Sequence, residues 1–192
     1  MRAGTIVWLT GLPSSGKSTL AERVLEELVA CGQRRVVILD GDAVRAAIRP
    51  SHGYDEAGRD AFYETLARLA ALLAAQGQVV LVPATAHRTA YRERARGLAP
   101  GPFLEVFLDT DLDTCRARDA KGLYARAAQE AGTVPGADLA YEAPLAPELI
   151  VRPGDPLAAR RLAGLVVSVG SSTDLPQAAT PAHPPPPRDE EP

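Results

Sequence analysis

A chain of 192 residues can bury one full α/β core and is too short for two domains of ordinary size. Its net charge of −3 excludes general attraction to nucleic acid or to a membrane surface, so an anion site has to be built locally from a few cations. The two cysteines, Cys31 and Cys115, sit in no metal-ligand spacing and read as reduced thiols; with no apolar stretch of signal or membrane length before the first strand, the expectation is a cytoplasmic protein.

The first apolar run, Thr5 to Leu9, is followed by Gly11-Leu12-Pro13-Ser14-Ser15-Gly16-Lys17-Ser18-Thr19 and then by a helical pattern over Lys17 to Ala30. This strand, glycine loop and helix form a P-loop in its required context. The glycines let successive amides point at one spot, the helix adds the positive end of its dipole, and anionic phosphates fit there. Lys17 carries a mobile charge to the outer phosphates, and the Ser18 hydroxyl is placed to ligate a bridging magnesium. ATP and Mg2+ are therefore the expected cofactors.

A second apolar run, Val36 to Leu39, delivers Asp40-Gly41-Asp42 to the carboxyl edge of a sheet, where ligands of open α/β folds bind. Carboxylates there can organise a metal's water shell or accept a proton from an attacking hydroxyl. Asp42 also stands where it could cap a helix running from Asp42 to Ile48; both roles can coexist. Arg45, one helical step on, is a candidate anion clamp or an ordinary surface arginine.

The pattern predicts a long helix over Glu56 to Gln76, with Leu66, Leu69, Leu72 and Leu73 as core, stopping at Gly77. A third strand, Val79 to Val82, leads into Pro83-Ala84-Thr85-Ala86-His87-Arg88 and a helix over Arg88 to Leu98. His87 reads either as a hydrogen-bonded structural group or as a proton carrier. Arg88, Arg92, Arg94 and Arg96 read either as a solvated helix face or as a local anion site.

After a fourth strand, Phe103 to Leu108, a helix over Leu112 to Arg118 carries Arg116 and Arg118, and Lys121 and Gly122 follow. Residues 116–138 are expected to form a mobile cationic lid that closes over the transferring group. Glu148 to Val151 is a weaker last strand, and Asp155 to Ser168 a last helix with Leu157, Leu162, Leu165 and Val166 inward. From residue 171 to 192 the Pro- and Ala-rich composition predicts a disordered tail, leaving 1–170 as the folded domain. Continuous apolar strands alternating with helices imply an α/β class with a parallel sheet.

These residues resemble the adenylylsulfate kinases, P-loop kinases that phosphorylate the ribose 3′-hydroxyl of adenosine 5′-phosphosulfate (APS). The likeness runs from about Thr5 to Val151 and rests on Gly11 to Thr19, Leu39-Asp-Gly-Asp-Ala-Val-Arg45, Gly53-Tyr54 with Arg59, Glu105-Val-Phe-Leu-Asp109, Cys115-Arg-Ala-Arg-Asp-Ala-Lys-Gly-Leu-Tyr124 and Tyr141-Glu-Ala-Pro144. It implies a P-loop NTPase three-layer α/β/α sandwich with a five-stranded parallel sheet. It also implies that Lys17 and Ser18 handle ATP and magnesium, and that Asp40 and Asp42 organise the metal and activate the acceptor hydroxyl. Arg45, Arg59 and Arg88 hold the phosphosulfate, Tyr54 stacks on the acceptor's adenine where the family has phenylalanine, and Lys121 belongs to the lid. A homodimer is implied as well.

The chain departs from the family pattern on the acceptor side. Thr85 replaces a serine that can be phosphorylated, and is the candidate phospho-acceptor. Ala86-His87 replaces Pro-Tyr, Phe62 replaces an asparagine that contacts the acceptor, Val134 stands near the place where the family has a second clamping phenylalanine, and Leu139-Ala140 replaces Asp-Pro. The expected reaction is transfer of the γ-phosphoryl of ATP to APS, with Lys17, Asp42 and Lys121 as the catalytic set. Two alternatives stay open: a P-loop kinase of another small hydroxyl acceptor, and a nucleotide-binding switch.

Overall fold

The computed structural model describes residues 2–49, 52–119, 122–127 and 134–171. Five strands, β1 (Ile6–Thr10), β2 (Val36–Ile38), β3 (Val79–Pro83), β4 (Phe103–Leu108) and β5 (Leu149–Val151), form one sheet in the order β2-β3-β1-β4-β5. Every pairing is parallel, with Trp8 of β1 level with Val82 on one side and Glu105 on the other.

Among the described residues seven helices connect and flank the strands: α1 (Lys17–Ala30), α2 (Gly41–Ala47), α3 (Glu56–Ala75), α4 (Thr89–Leu98), α5 (Leu112–Arg118), α6 (Leu123–Ala127) and α7 (Ala158–Ser171). All five residues of β1 are buried, and strand alternation sends them to two different cores. Val7 and Leu9 pack with Leu20, Val24 and Leu28 of α1 and with Leu162 and Val166 of α7. Ile6 and Trp8 pack on the opposite face with Phe62 and Leu66 of α3 and with Tyr91 and Ala95 of α4. The sandwich and the five-stranded parallel sheet agree with the sequence reading.

Two apolar assignments are corrected. Leu66 is buried and Leu73 packs on the core, but Leu72 is 57% exposed, because the inward stripe of α3 runs through Phe62, Tyr63, Leu66, Ala67, Ala70 and Ala74. Leu157 is 57% exposed because α7 begins one residue after it. That helix extends through Ser171, three residues past the expected end, and the expected tail beyond it lies outside the described residues. Cys31 is exposed, Cys115 is buried, and both are free thiols. Among the described residues no helix is long and apolar enough to cross a membrane.

The basic stretch of α4 is neither a solvated face nor one anion site. Arg92 is buried in an ion pair with Glu105 of β4 at 2.6 Å, and it also donates to the carbonyls of Ala86 and Glu142. Arg94 pairs with Glu64 and Arg96 with Glu148, so these cations fasten α4 to α3, β4 and the approach to β5.

Candidate active site

The carboxyl ends of β1, β2, β3 and β4 open into a cleft of about 780 Å³ lined by Pro13 to Leu20, Asp40, Asp42, Thr85 and Thr110. At its floor the chain leaves β1 and turns into α1 through Gly16, which has φ 100° and ψ 16°, a left-handed conformation that favours glycine. Gly16 has no side chain to cap α1, so the first amides of that helix are left to a ligand in the cleft. Lys17 Nζ donates to the carbonyls of Gly11 at 3.0 Å and Leu12 at 2.7 Å, folding back over the loop it follows.

Beside the loop, Ser18 Oγ donates to Asp40 Oδ2 at 2.7 Å. Asp40, not Asp42, is the N-cap of α2: its Oδ1 accepts from the amides of Asp42 at 2.9 Å and Ala43 at 3.1 Å. Asp42 therefore sits in the first turn of the helix with its carboxylate in the cleft lining, released from the capping role. Ser18 and Asp40 present hard oxygens of the kind magnesium takes. Among the described residues no group of three or more His, Cys, Asp or Glu could hold a metal ion.

The opposite end of the cleft combines arginines with aromatic rings. Arg45 of α2 lies with its guanidinium carbon 3.7 Å from the centroid of Phe62 and 4.6 Å from that of Tyr54, and donates to the carbonyls of His52 and Gly53. Arg59 is buried and donates to the carbonyl of Tyr54 at 2.6 Å. Arg88 is the exception among the expected substrate arginines: it pairs with Glu56 at 2.7 Å, so that carboxylate competes with any acceptor for its charge.

Of the groups that hold the segment after β3, the sequence marked Arg92 and Tyr141 but not Tyr63 or Thr10. Ala86 has φ 41°, unusual for a residue with a side chain. Its amide donates to Tyr63 Oη at 3.0 Å and its carbonyl accepts from Arg92 at 2.6 Å, so the strained peptide is gripped from both sides. Thr10 Oγ1 donates to the Thr85 carbonyl at 2.6 Å and meets Tyr141 Oη at 3.0 Å, which ties Thr85 to the end of β1. His87 is buried against Tyr63 and Tyr91, and burial, then Arg59 and Arg88, lower its pKa to about 4. It is held by packing between the two tyrosine rings and not by the hydrogen bonds expected of a structural histidine, since its Nδ1 is buried with no hydrogen-bond partner among the described residues.

On the lid side, Arg118 lines the cleft and approaches the Ser15 carbonyl at 3.5 Å, while Arg116 is exposed near Asp113. Asp119 caps α6 by accepting from the amides of Leu123, Tyr124 and Ala125, and Tyr124 Oη donates to the Pro13 carbonyl at 2.9 Å. Val134 is buried with Cys115 and Tyr124. Lys121 and residues 128–133 of the expected lid lie outside the described residues. The loop from Arg152 to Pro156 also lines the cleft. Its Pro-Gly-Asp-Pro run is the turn signal that could have marked it.

A central parallel strand feeding a glycine loop and helix, with a serine–aspartate pair beside it, defines a P-loop protein of the nucleoside-triphosphate-binding class. The family model described as adenylylsulphate kinase matches residues 3–152, and the chain belongs to that family. It is 37% identical over 174 residues to an adenylyl-sulfate kinase of Burkholderia ambifaria, an alignment covering 88% of this chain and 94% of that one. It is 45% identical over 148 residues to the bifunctional enzyme NodQ of Azospirillum brasilense, covering 75% of this chain but only 23% of the longer protein. Among solved structures, the Mycobacterium tuberculosis APS kinase CysC, in complex with AMPPNP and APS, superposes with a TM-score of 0.79 at 37% identity, over 90% of this chain and 100% of that one.

Proposed function

We propose that this protein is a cytoplasmic, homodimeric kinase that transfers the γ-phosphoryl of ATP to the ribose 3′-hydroxyl of APS, giving 3′-phosphoadenylyl sulfate. The observation that carries the reading is one continuous cleft with a phosphate cradle and two carboxylates at one end and an arginine–aromatic wall at the other. The M. tuberculosis relative, which holds AMPPNP and APS together, supports the same pairing of ligands.

In this reading the P-loop amides and Lys17 bind and orient the phosphates of ATP. Ser18 and Asp40 hold Mg2+, which, when bound, neutralises charge on the β- and γ-phosphate oxygens. Asp42, freed from capping, orients the acceptor hydroxyl and takes its proton. Arg45 and Arg59 bind the phosphosulfate, Tyr54 stacks on the adenine, and Arg118 and Lys121 bring cationic charge over the phosphates. Catalysis then comes mainly from positioning and charge neutralisation.

A second reading, an acceptor other than APS, is favoured by one observation: Phe62 gives the acceptor end a buried apolar ring. ADP release from Mg-ATP, measured with APS and with a panel of other hydroxyl compounds, decides between them. Stimulation by APS supports the first; stimulation only by another compound overturns it. Sedimentation of the purified protein tests the dimer.

A further inference from the structure

Phe62 lies on α3 one helical step from Arg59, so both face the acceptor end of the cleft. Its ring is 3% exposed and is fixed from the side by Tyr63, an edge contact with centroids 5.3 Å apart. The guanidinium of Arg45 rests on it at 3.7 Å, a shorter approach than that to Tyr54. Tyr54 is 60% exposed and belongs to the loop before α3, whereas Phe62 is built into the core beside β3. The rigid partner of Arg45 is therefore the phenylalanine.

We propose that Phe62 is a positioning residue: its ring face holds the Arg45 guanidinium so that the edge not bonded to the His52 and Gly53 carbonyls is presented to the anionic end of the acceptor. The inference rests on the proposed function for the identity of the acceptor, and on the geometry alone for the coupling of the two side chains. A guanidinium is weakly hydrated and stacks on aromatic faces without losing its in-plane hydrogen bonds. Stacking on Phe62 thus fixes the plane of the fork, and the two carbonyls fix its rotation within that plane. An aliphatic side chain of similar volume would fill the space and leave the plane unset.

The test compares Phe62→Leu, Phe62→Tyr and Arg45→Ala, alone and combined, in the full chain. Steady-state kinetics with APS varied at saturating Mg-ATP should show an acceptor KM about tenfold higher in Phe62→Leu, the size expected for loss of a cation–π contact in a partly desolvated site. The rise should fall on APS and not on ATP, and Phe62→Tyr should restore the parental value. Adding Phe62→Leu to Arg45→Ala should give no further loss, because a residue acting through Arg45 has nothing left to position.

NMR of the arginine Nε–Hε groups supplies a readout independent of turnover. The Arg45 signal should carry an upfield ring-current shift that shrinks in Phe62→Leu to the part supplied by Tyr54 and persists in full in Phe62→Tyr. An unshifted Arg45 signal, an unchanged acceptor KM in Phe62→Leu, or additive losses in the double variant would overturn the proposal. If the parental chain shows no turnover with APS, the functional reading fails while the NMR comparison still decides the role of Phe62. Phe62→Met replaces the leucine variant if Trp8 fluorescence shows that variant to be unfolded.

Discussion

Ser18 Oγ and Asp40 Oδ2 are 2.7 Å apart, so one carboxylate joins the first turn of α1 to the start of α2. Its other oxygen caps α2, so the metal-directed duty proposed for Asp40 would fall on a different atom from its structural one. Asparagine caps as well as aspartate, whereas loss of the cap to alanine costs about 1 kcal/mol. Asp40→Ala should lower Tm by about 2–4 °C and Asp40→Asn by less. Both should raise the Mg2+ needed for half-maximal rate, by about ten- to a hundredfold. Calorimetry and a magnesium titration read the two duties separately, and an unmoved titration in Asp40→Asn removes the metal role.

Asp42→Ala should reduce phosphoryl transfer by about a hundredfold or more while ATP binding is retained, the effect expected when a general base is removed. Calorimetric binding of AMPPNP together with turnover assays checks this. Normal turnover in that variant would remove Asp42 as the base.

Lys17→Ala should weaken AMPPNP binding and lower the rate, since the ammonium that folds over Gly11 and Leu12 is the mobile charge nearest the loop. Unchanged kinetics would contradict its role.

Removing Arg92 from its buried pair leaves Glu105 with only the longer contact to Arg96 at 3.6 Å, at a cost of up to about 3–5 kcal/mol. Arg92→Met should therefore lower Tm by roughly 10 °C. Arg92→Met with Glu105→Met should recover part of this, but not all, because the carbonyls of Ala86 and Glu142 lose their donor in both. Unfolding followed through Trp8 fluorescence gives the values.

The depressed pKa of His87 sets a pH window. The unfolded chain binds a proton at His87 below its ordinary value of 6.5 and the folded chain only below about 4, so stability should fall as pH drops from about 6.5 to about 4. The full loss is about 3 kcal/mol by linkage. Denaturant unfolding at several pH values should show this slope, and His87→Gln should flatten it. An imidazole that titrates near 6.5 in the folded protein would sink the prediction.

Much of the donor half of the site was legible because its chemistry is written in consecutive residues. A strand, a glycine loop and Lys17-Ser18 need no tertiary partner to be recognised, and β1, β3 and β4 announce themselves as apolar runs buried almost throughout. The two-residue shift of the α2 cap was not legible, because Asp40 and Asp42 cap equally well. The helix starts at Gly41, where an added Cβ would lie 3.3 Å from Ala84 Cβ and 3.4 Å from the Pro83 carbonyl, a contact with β3 that only the fold creates. Leu72 was assigned to the core by spacing, while close packing on the sheet instead selected the small Ala67, Ala70 and Ala74. Arg88 and Arg92 looked alike in one basic run, yet their carboxylate partners, Glu56 and Glu105, come from different elements and give them opposite exposures.

The placement of β1 between β3 and β4 separates two kinds of constancy in the molecule. Its loop is stapled to a strand bonded along both edges, whereas the arginine–aromatic wall is borne by the seven-residue α2 and by the beginning of α3. In the proposed function, substitutions on α2 and α3 would change what receives the phosphate while leaving undisturbed what supplies it.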